Sequence, residues 1–362
     1  MFCLEEEKWH YFIQKHFKGI RAPFTAGIEL LPDCNFRCIH CYAESDRQSS
    51  DEYLNKNQIL GIIDDLVKHG CLFMFFTGGD PLMHKDFFEI YKYARTRGIF
   101  VSVLTNGTLI TQRHIELWIE YPPDNISLTM YGASEKTYCS ITGTKGMYSR
   151  FCKSVQLLHD NQIPFEIKCV GMKQNYDDIL TIRDFARSYN LKFQTLGWSI
   201  HPMNNNDKSP LDCRVTPEQA FKIEILDPER KNFWNHLAEN NVAHTLTTKQ
   251  KENLMYPCNI ARQFVFITYN GHMQGCVLAT NPYYDLTKGN FDEGWNFLRK
   301  EFVEKKASPN FKCASCTKIH YCGQCSAIAR SENGNEEIPI DFFCEYGTLL
   351  ENYMKMSKVN ES

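Results

Sequence analysis

Two hydrophobic periods alternate through the first half of the chain. Short, β-rich apolar runs recur at Ala26–Leu31, Cys71–Phe76, Ile99–Leu104, Asn125–Met130, Phe165–Val170 and Leu191–Leu196. They read as six strands. Between them the apolar residues take helical spacing. Ile59, Leu60, Ile62, Ile63, Leu66 and Val67 run up to Gly70, and Phe87, Phe88, Ile90, Tyr91 and Ala94 run up to Gly98. A glycine stop of this kind commonly ends a helix. Further helices are predicted over Gln112–Glu120, Met147–Asp160 and Asp177–Tyr189. Strand and helix therefore alternate, which implies a parallel sheet covered by helices.

Such units can build a doubly wound sheet or an incomplete barrel. Side-chain alternation favours the barrel. On the fourth strand Ser127 and Thr129 share one face while Ile126, Leu128 and Met130 share the other; on the fifth, Glu166 and Lys168 oppose Phe165, Ile167 and Cys169. Helices would cover the apolar face and leave the polar groups lining an interior, as in a barrel that holds a polar ligand.

After Leu196 the pattern loosens through His201–Pro210, rich in Asn, Pro and Ser, which reads as a linker or lid. Residues from about Val215 to Tyr256 look helical and polar. From Pro257 onward, cysteines cluster among Gly, Pro and Asn. The expected organisation is an N-terminal extension (1–23), a barrel (24–215), a bridging helical segment (216–257), a cysteine-rich domain (258–350) and a tail (351–362).

A chain of 362 residues can bury a large core without disulfides, so folding alone does not account for sixteen cysteines. The formal charge of -3 and the mixed placement of both signs give no basic stripe, so no nucleic-acid partner is expected. The first residues lack the basic start and apolar core of a signal peptide, and no run reaches the ~18 apolar residues of a membrane span. A cytoplasmic protein is the expectation. In that reducing compartment, regularly spaced cysteines point to metal or catalysis.

Just past the first strand, Cys34-Asn-Phe-Arg-Cys38-Ile-His-Cys41 gives a CxxxCxxC loop. Three thiolates on so short a loop can hold one face of a [4Fe-4S] cubane and leave its fourth iron open. A zinc knuckle with His40 as the nitrogen donor is the competing reading. The loop's place at the C-terminal end of a strand, where α/β folds bind ligands, favours the cluster.

This loop resembles the signature of the radical S-adenosylmethionine (SAM) superfamily, whose clusters bind SAM at the open iron and cleave it to a 5′-deoxyadenosyl radical. The resemblance makes Cys34, Cys38 and Cys41 the catalytic cluster ligands and sets His40 against adenine. Thr77-Gly78-Gly79-Asp80-Pro81 is similar to the family's GGEP segment, which binds the SAM amino group; Asp80 is one methylene shorter than the usual Glu. Asn106, in Thr105-Asn106-Gly107, matches a turn common in the superfamily. Ser127, Thr129 and Lys168 match positions where relatives contact the ribose and carboxylate of SAM. The resemblance covers residues 24 to 200 and implies a partial (β/α)6 TIM-like barrel.

Seven cysteines in under ninety residues follow: Cys258, Cys276, Cys313, Cys316, Cys322, Cys325 and Cys344. Their spacing resembles the SPASM domain, an extension that holds auxiliary [4Fe-4S] clusters; paired zinc ribbons are the alternative. By that resemblance Cys258, Cys276 and Cys325 hold the first auxiliary cluster, while Cys313, Cys316, Cys322 and Cys344 hold the second. This makes three clusters in all. Two departures stand out: Cys322 and Cys325 are one residue closer than usual, and no cysteine follows Cys258 in Asn259–Phe264. The first auxiliary cluster is thus expected to have an open or non-cysteine-ligated iron.

Most relatives with this extension modify peptides. Ser127–Ser134, Cys322–Cys325 and Phe343–Glu345 look most like the maturases of ribosomally made peptides. The implied partners are a precursor peptide, a separate leader-peptide-binding protein and a reductant such as flavodoxin or ferredoxin. Rival readings are a sulfatase-maturing (formylglycine) enzyme, a radical enzyme acting on a small molecule or cofactor precursor, an iron–sulfur electron carrier, and a zinc-stabilised binding module.

Overall fold

The structure, a computed structural model, describes residues 19–41, 53–196, 200, 209–239 and 253–359. Strand β1 (Thr25–Glu29) is followed by α1 (Lys56–Lys68), β2 (Phe73–Thr77), α2 (Phe87–Thr96), β3 (Phe100–Thr105), α3 (Gln112–Glu120) and β4 (Asn125–Thr129). Two helices, α4 (Glu135–Thr142) and α5 (Met147–Asp160), lead to β5 (Phe165–Val170), then α6 (Ile179–Ser188) and β6 (Phe193–Leu196). The six strands pair in parallel in sequence order. With helices packed outside, they form the expected partial TIM-type barrel.

Local chemistry sets these elements. Helix α1 starts on a capping box in which Asn55 and Gln58 satisfy each other's backbone N–H groups, and it buries Ile59, Ile62, Ile63 and Leu66. Helices α3 and α5 begin and end where the apolar period predicts. The sequence reading has one helix over Asp177–Tyr189; the chain instead makes a 3-10 segment, Lys173–Asp178, before α6. The linker expected at His201–Pro210 lies mostly outside the described residues.

The barrel interior divides by strand. Ile126 and Leu128 face the helices, fully buried, while Ser127 and Thr129 stand in register with Glu166 and Lys168 on the other face. Toward β1 and β2 the interior is aromatic. Phe73 stacks on Phe100 at 5.4 Å and Phe75 on Phe264 at 6.1 Å. Gly27 leaves room for this wall, since a Cβ there would meet Phe75 and Phe266 at 2.4 and 2.6 Å.

Beyond the barrel come α7 (Pro217–Leu226), α8 (Pro228–Glu239), β7 (Phe264–Ile267), β8 (His272–Gln274), β9 (Tyr284–Asp285) and α9 (Phe291–Leu298). Helices α10 (Ser326–Asn333) and α11 (Asp341–Val359) complete the described chain. Strand β7 pairs in parallel with β1, Thr25 opposite Phe264, and β8 and β9 extend the sheet antiparallel. The sheet therefore crosses the position where composition places a new domain. No helix among the described residues is long and apolar enough to cross a membrane.

Candidate active site

The cysteine loop leaves β1 along the end of β2. Leu30 N–H donates to Thr77 O at 2.9 Å, Gly79 N–H to Leu31 O at 2.9 Å and Asp80 N–H to Asp33 O at 2.8 Å. The two glycines make this approach possible. A Cβ on Gly78 would meet Leu31 O at 2.5 Å, and one on Gly79 would meet Asp33 O at 2.0 Å. On the other side Arg37 and Ile39 N–H donate to Thr142 O and Ile141 O of α4. Helix α4 lacks a strong apolar stripe, so the sequence reading passes over it.

Cys34, Cys38 and Cys41 lie within electrostatic reach of one another. Burial pushes the Cys34 thiol up to about 11, against hydrogen bonds from Phe36 N–H and the Asn106 amide, and raises Cys38 further. His40, pushed down to about 4 by burial, is a neutral imidazole at physiological pH. Its Nδ1 is buried with no hydrogen-bond partner, and its ring stands 5.7 Å from that of Tyr131. A thiol triplet with an orphaned polar atom beside it fits a cluster and a cofactor that offers a hydrogen-bonding group.

Of the other expected site residues, Gly79, Asp80 and Asn106 bond to this loop, whereas Ser127, Thr129 and Lys168 lie on the interior face of the barrel. Thr77 and Pro81 are buried in the turn. Asp80 is fully buried, pushed up to about 6 by that burial, and accepts hydrogen bonds from Thr105, Asn106 N–H and Leu82 N–H. Asn106 reaches Asn35 and Cys34, and Thr108 closes the network. Lys168 pairs with Glu166 at 2.7 Å inside the barrel, with Ser127 and Thr129 on the neighbouring strand. Asn35 and Thr108 carry no motif that sequence reasoning could have singled out, while Thr105 and Glu166 show in the sequence only as part of the Thr-Asn-Gly turn and of the polar face of β5.

The C-terminal thiols gather in two groups. Cys276 lies near Cys325 and Cys258, and Cys325 near Cys258. Cys313 faces Cys322, Cys344 and Cys316, and Cys322 faces Cys316 and Cys344. The β7–β8 hairpin, turning at Gly271 with φ +85°, delivers Cys276. Among the described residues, no three or more His, Cys, Asp or Glu side chains are arranged to hold a metal ion. A zinc ribbon needs every thiolate about 2.3 Å from one ion. A cubane binds each thiolate at a separate iron, so its ligands stand further apart.

Residues 28–186 match the radical SAM superfamily. This stretch is a radical SAM domain. The chain is 24% identical over 348 residues to the AdoMet-dependent heme synthase of Methanosarcina barkeri, covering 90% of this chain and 97% of that protein. It is 29% identical over 227 residues to the subtilosin biosynthesis protein AlbA of Bacillus subtilis, covering 59% and 50%. Streptococcus suis SuiB bound to its precursor peptide SuiA superposes with a TM-score of 0.68 and 15% identity over 91% of this chain and 77% of that one. That identity speaks for the fold, which extends past the radical SAM domain into the cysteine-rich half. A radical SAM domain works with SAM and a [4Fe-4S] cluster.

Proposed function

We propose that this chain is a radical SAM peptide maturase, which oxidatively modifies or cross-links a ribosomally made peptide. One observation carries the reading: the seven C-terminal thiols fall into a group of three and a group of four on the same chain as the radical SAM domain. AlbA and SuiB, whose names tie them to peptide products and precursors, add support. Cys34, Cys38 and Cys41 would hold the catalytic cluster. Cys258, Cys276 and Cys325 would hold one auxiliary cluster, and Cys313, Cys316, Cys322 and Cys344 another. When bound, SAM and its cluster supply a hydrogen-abstracting radical.

The chain's own residues define the surroundings of that chemistry. Neutral His40 presents an unused ring nitrogen beside the loop, and the aromatic wall of Phe73, Phe75, Phe100 and Phe264 fills the interior toward β1 and β2. Substrate then enters at the C-terminal ends of the strands, as ligands do in such barrels. A precursor peptide, a separate leader-binding protein and a flavodoxin or ferredoxin complete the system.

A second reading has its own support. The likeness to heme synthase spans 97% of that enzyme, which favours an iron–tetrapyrrole as substrate. Anaerobically reconstituted protein, given SAM and a low-potential reductant, is therefore offered short peptides encoded beside its gene or an iron–tetrapyrrole. Mass spectrometry should find a peptide that has lost hydrogen. Turnover of the tetrapyrrole with every peptide unchanged would sink the maturase, and zinc without labile sulfide after reconstitution would sink both.

A further inference from the structure

By resemblance, the Gly78-Gly79-Asp80-Pro81 turn and Asn106 serve SAM. The hydrogen bonds around Asp80 and Asn106 point instead at the cysteine loop. Asp80 is 0% exposed. Its Oδ2 accepts from Thr105 Oγ1 at 2.7 Å and Asn106 N–H at 2.9 Å, and its Oδ1 accepts from Leu82 N–H at 3.0 Å. Both carboxylate oxygens are thus engaged within the β2 and β3 turns.

Asn106 is also buried, at 5% exposed. Its Oδ1 accepts from Thr108 N–H at 3.0 Å and Thr108 Oγ1 at 2.6 Å. That fixes the amide's orientation, and its Nδ2 donates to Asn35 Oδ1 at 2.8 Å and to Cys34 Sγ at 3.9 Å. Asn35 returns a bond from its own Nδ2 to Thr108 Oγ1 at 3.0 Å. The amide is therefore held against the loop by three side chains, and Cys34 Sγ receives a second donor, Phe36 N–H, at 3.4 Å.

We propose that Asp80 and Asn106 are positioning residues for the catalytic cluster: Asp80 fixes the Thr105–Asn106 turn, and the Asn106 amide tunes the cluster through Cys34. The inference rests on Cys34 being a cluster ligand. A donor to a ligand sulfur stabilises the more negative, reduced cluster, so it raises the reduction potential. The missing methylene of Asp80 then has a consequence. The shorter carboxylate stays under the loop, where it orders the turn and leaves SAM to backbone and other groups.

The test uses the full reconstituted chain with SAM affinity and cluster potential measured separately. Potentiometric titration followed by electron paramagnetic resonance gives the potentials, and subtracting the Cys34→Ala, Cys38→Ala, Cys41→Ala triple variant isolates the N-terminal cluster. Asn106→Asp keeps the side-chain volume and removes the amide donor. It should move the midpoint to a more negative value while the SAM dissociation constant stays within about twofold. Asp80→Asn, which sets an amide among three donors, should move it the same way. The double variant should move it no further than Asn106→Asp, because the two residues act as one unit. An unmoved midpoint in Asn106→Asp, or SAM binding weakened about tenfold or more, would overturn the inference. A triple variant that loses no titrating signal would overturn the cluster assignment itself.

Discussion

The two cysteine-bearing regions are held in place by different means. Cys34, Cys38 and Cys41 fall within eight residues on a loop pinned from both sides, by β2 through Leu31 and Asp33 and by α4 through Arg37 and Ile39. The C-terminal thiols come from segments spread over residues 258 to 344. Their nearest backbone bonds are local: Cys316 N–H to Cys313 O, Cys322 N–H to Lys318 O, Cys344 N–H to Ile340 O. A small core of Ile328, Ala329, Ile340 and Phe343 packs against Cys322 and Cys325, while Cys276 and Cys325 also pack against the main core. The first region is a preorganised site on a self-sufficient fold. The second draws its thiols from distant segments, an arrangement that metal ligation commonly completes.

The largest test of that contrast removes thiols from each region in turn. Changing Cys34, Cys38 and Cys41 together to Ala should abolish 5′-deoxyadenosine formation and leave the thermal midpoint close to that of the parent, because strand pairing holds the loop. Cys276→Ala should instead lose mature product while keeping some 5′-deoxyadenosine, and it should open the C-terminal segment to protease. Mössbauer quantitation of the remaining clusters accompanies both assays. Equal protease resistance in the two variants would show that the C-terminal fold does not depend on its metal.

A smaller effect is expected where the regions meet. Arg214, 9% exposed, donates to Glu332 of α10 through both terminal nitrogens, one at 3.2 Å, and lies 5.1 Å from the Phe342 ring. Its neighbour Cys213 approaches Ile39 O of the cysteine loop at 3.7 Å. Arg214→Ala strands a buried carboxylate and should cost about 3–5 kcal/mol, measured by denaturant unfolding. Arg214→Met with Glu332→Leu should recover most of that loss, since replacing both charges is often neutral. A loss under about 1 kcal/mol in the single variant would mark the pair as solvated.

Much of this was legible in the sequence because it is local. The limits of α3 and α5 follow from apolar period, and the polar interior of β4 and β5 follows from alternation. The pairing of β7 with β1 joins residues more than two hundred positions apart, and no local pattern encodes a partner. Helix α4 escaped because Tyr138, Ile141 and Thr142 are its only buried side chains, too few for a stripe. For Asp80 and Asn106 the motif gave the place, while orientation came from Thr105 of the same turn and from Thr108 and Asn35, whose short side chains signal nothing by themselves.

The finest test compares how the thiol groups take up iron and sulfide as pH falls. Ligands must be thiolates, so loading releases a proton from every thiol that is protonated beforehand. Burial pushes Cys34 up to about 11 and Cys276 and Cys313 up to about 12, and it also raises Cys38, Cys325, Cys322 and Cys344. A raised thiol is protonated at neutral pH and stays so until pH approaches its raised value. Loading should therefore strengthen with pH across the whole range from neutrality upward, by about tenfold per pH unit for each proton released. The four-cysteine group loads through four thiols, Cys313, Cys316, Cys322 and Cys344, against three in the N-terminal loop, so its loading releases more protons. Its loading should fall more steeply on acidification, so a titration from pH 9 toward pH 6.5 (about the unperturbed histidine value), followed by Mössbauer spectroscopy, should empty it first. If the N-terminal loop empties first, the protein's grip on that loop is weaker than its hydrogen bonds imply, and the contrast between the two regions fails.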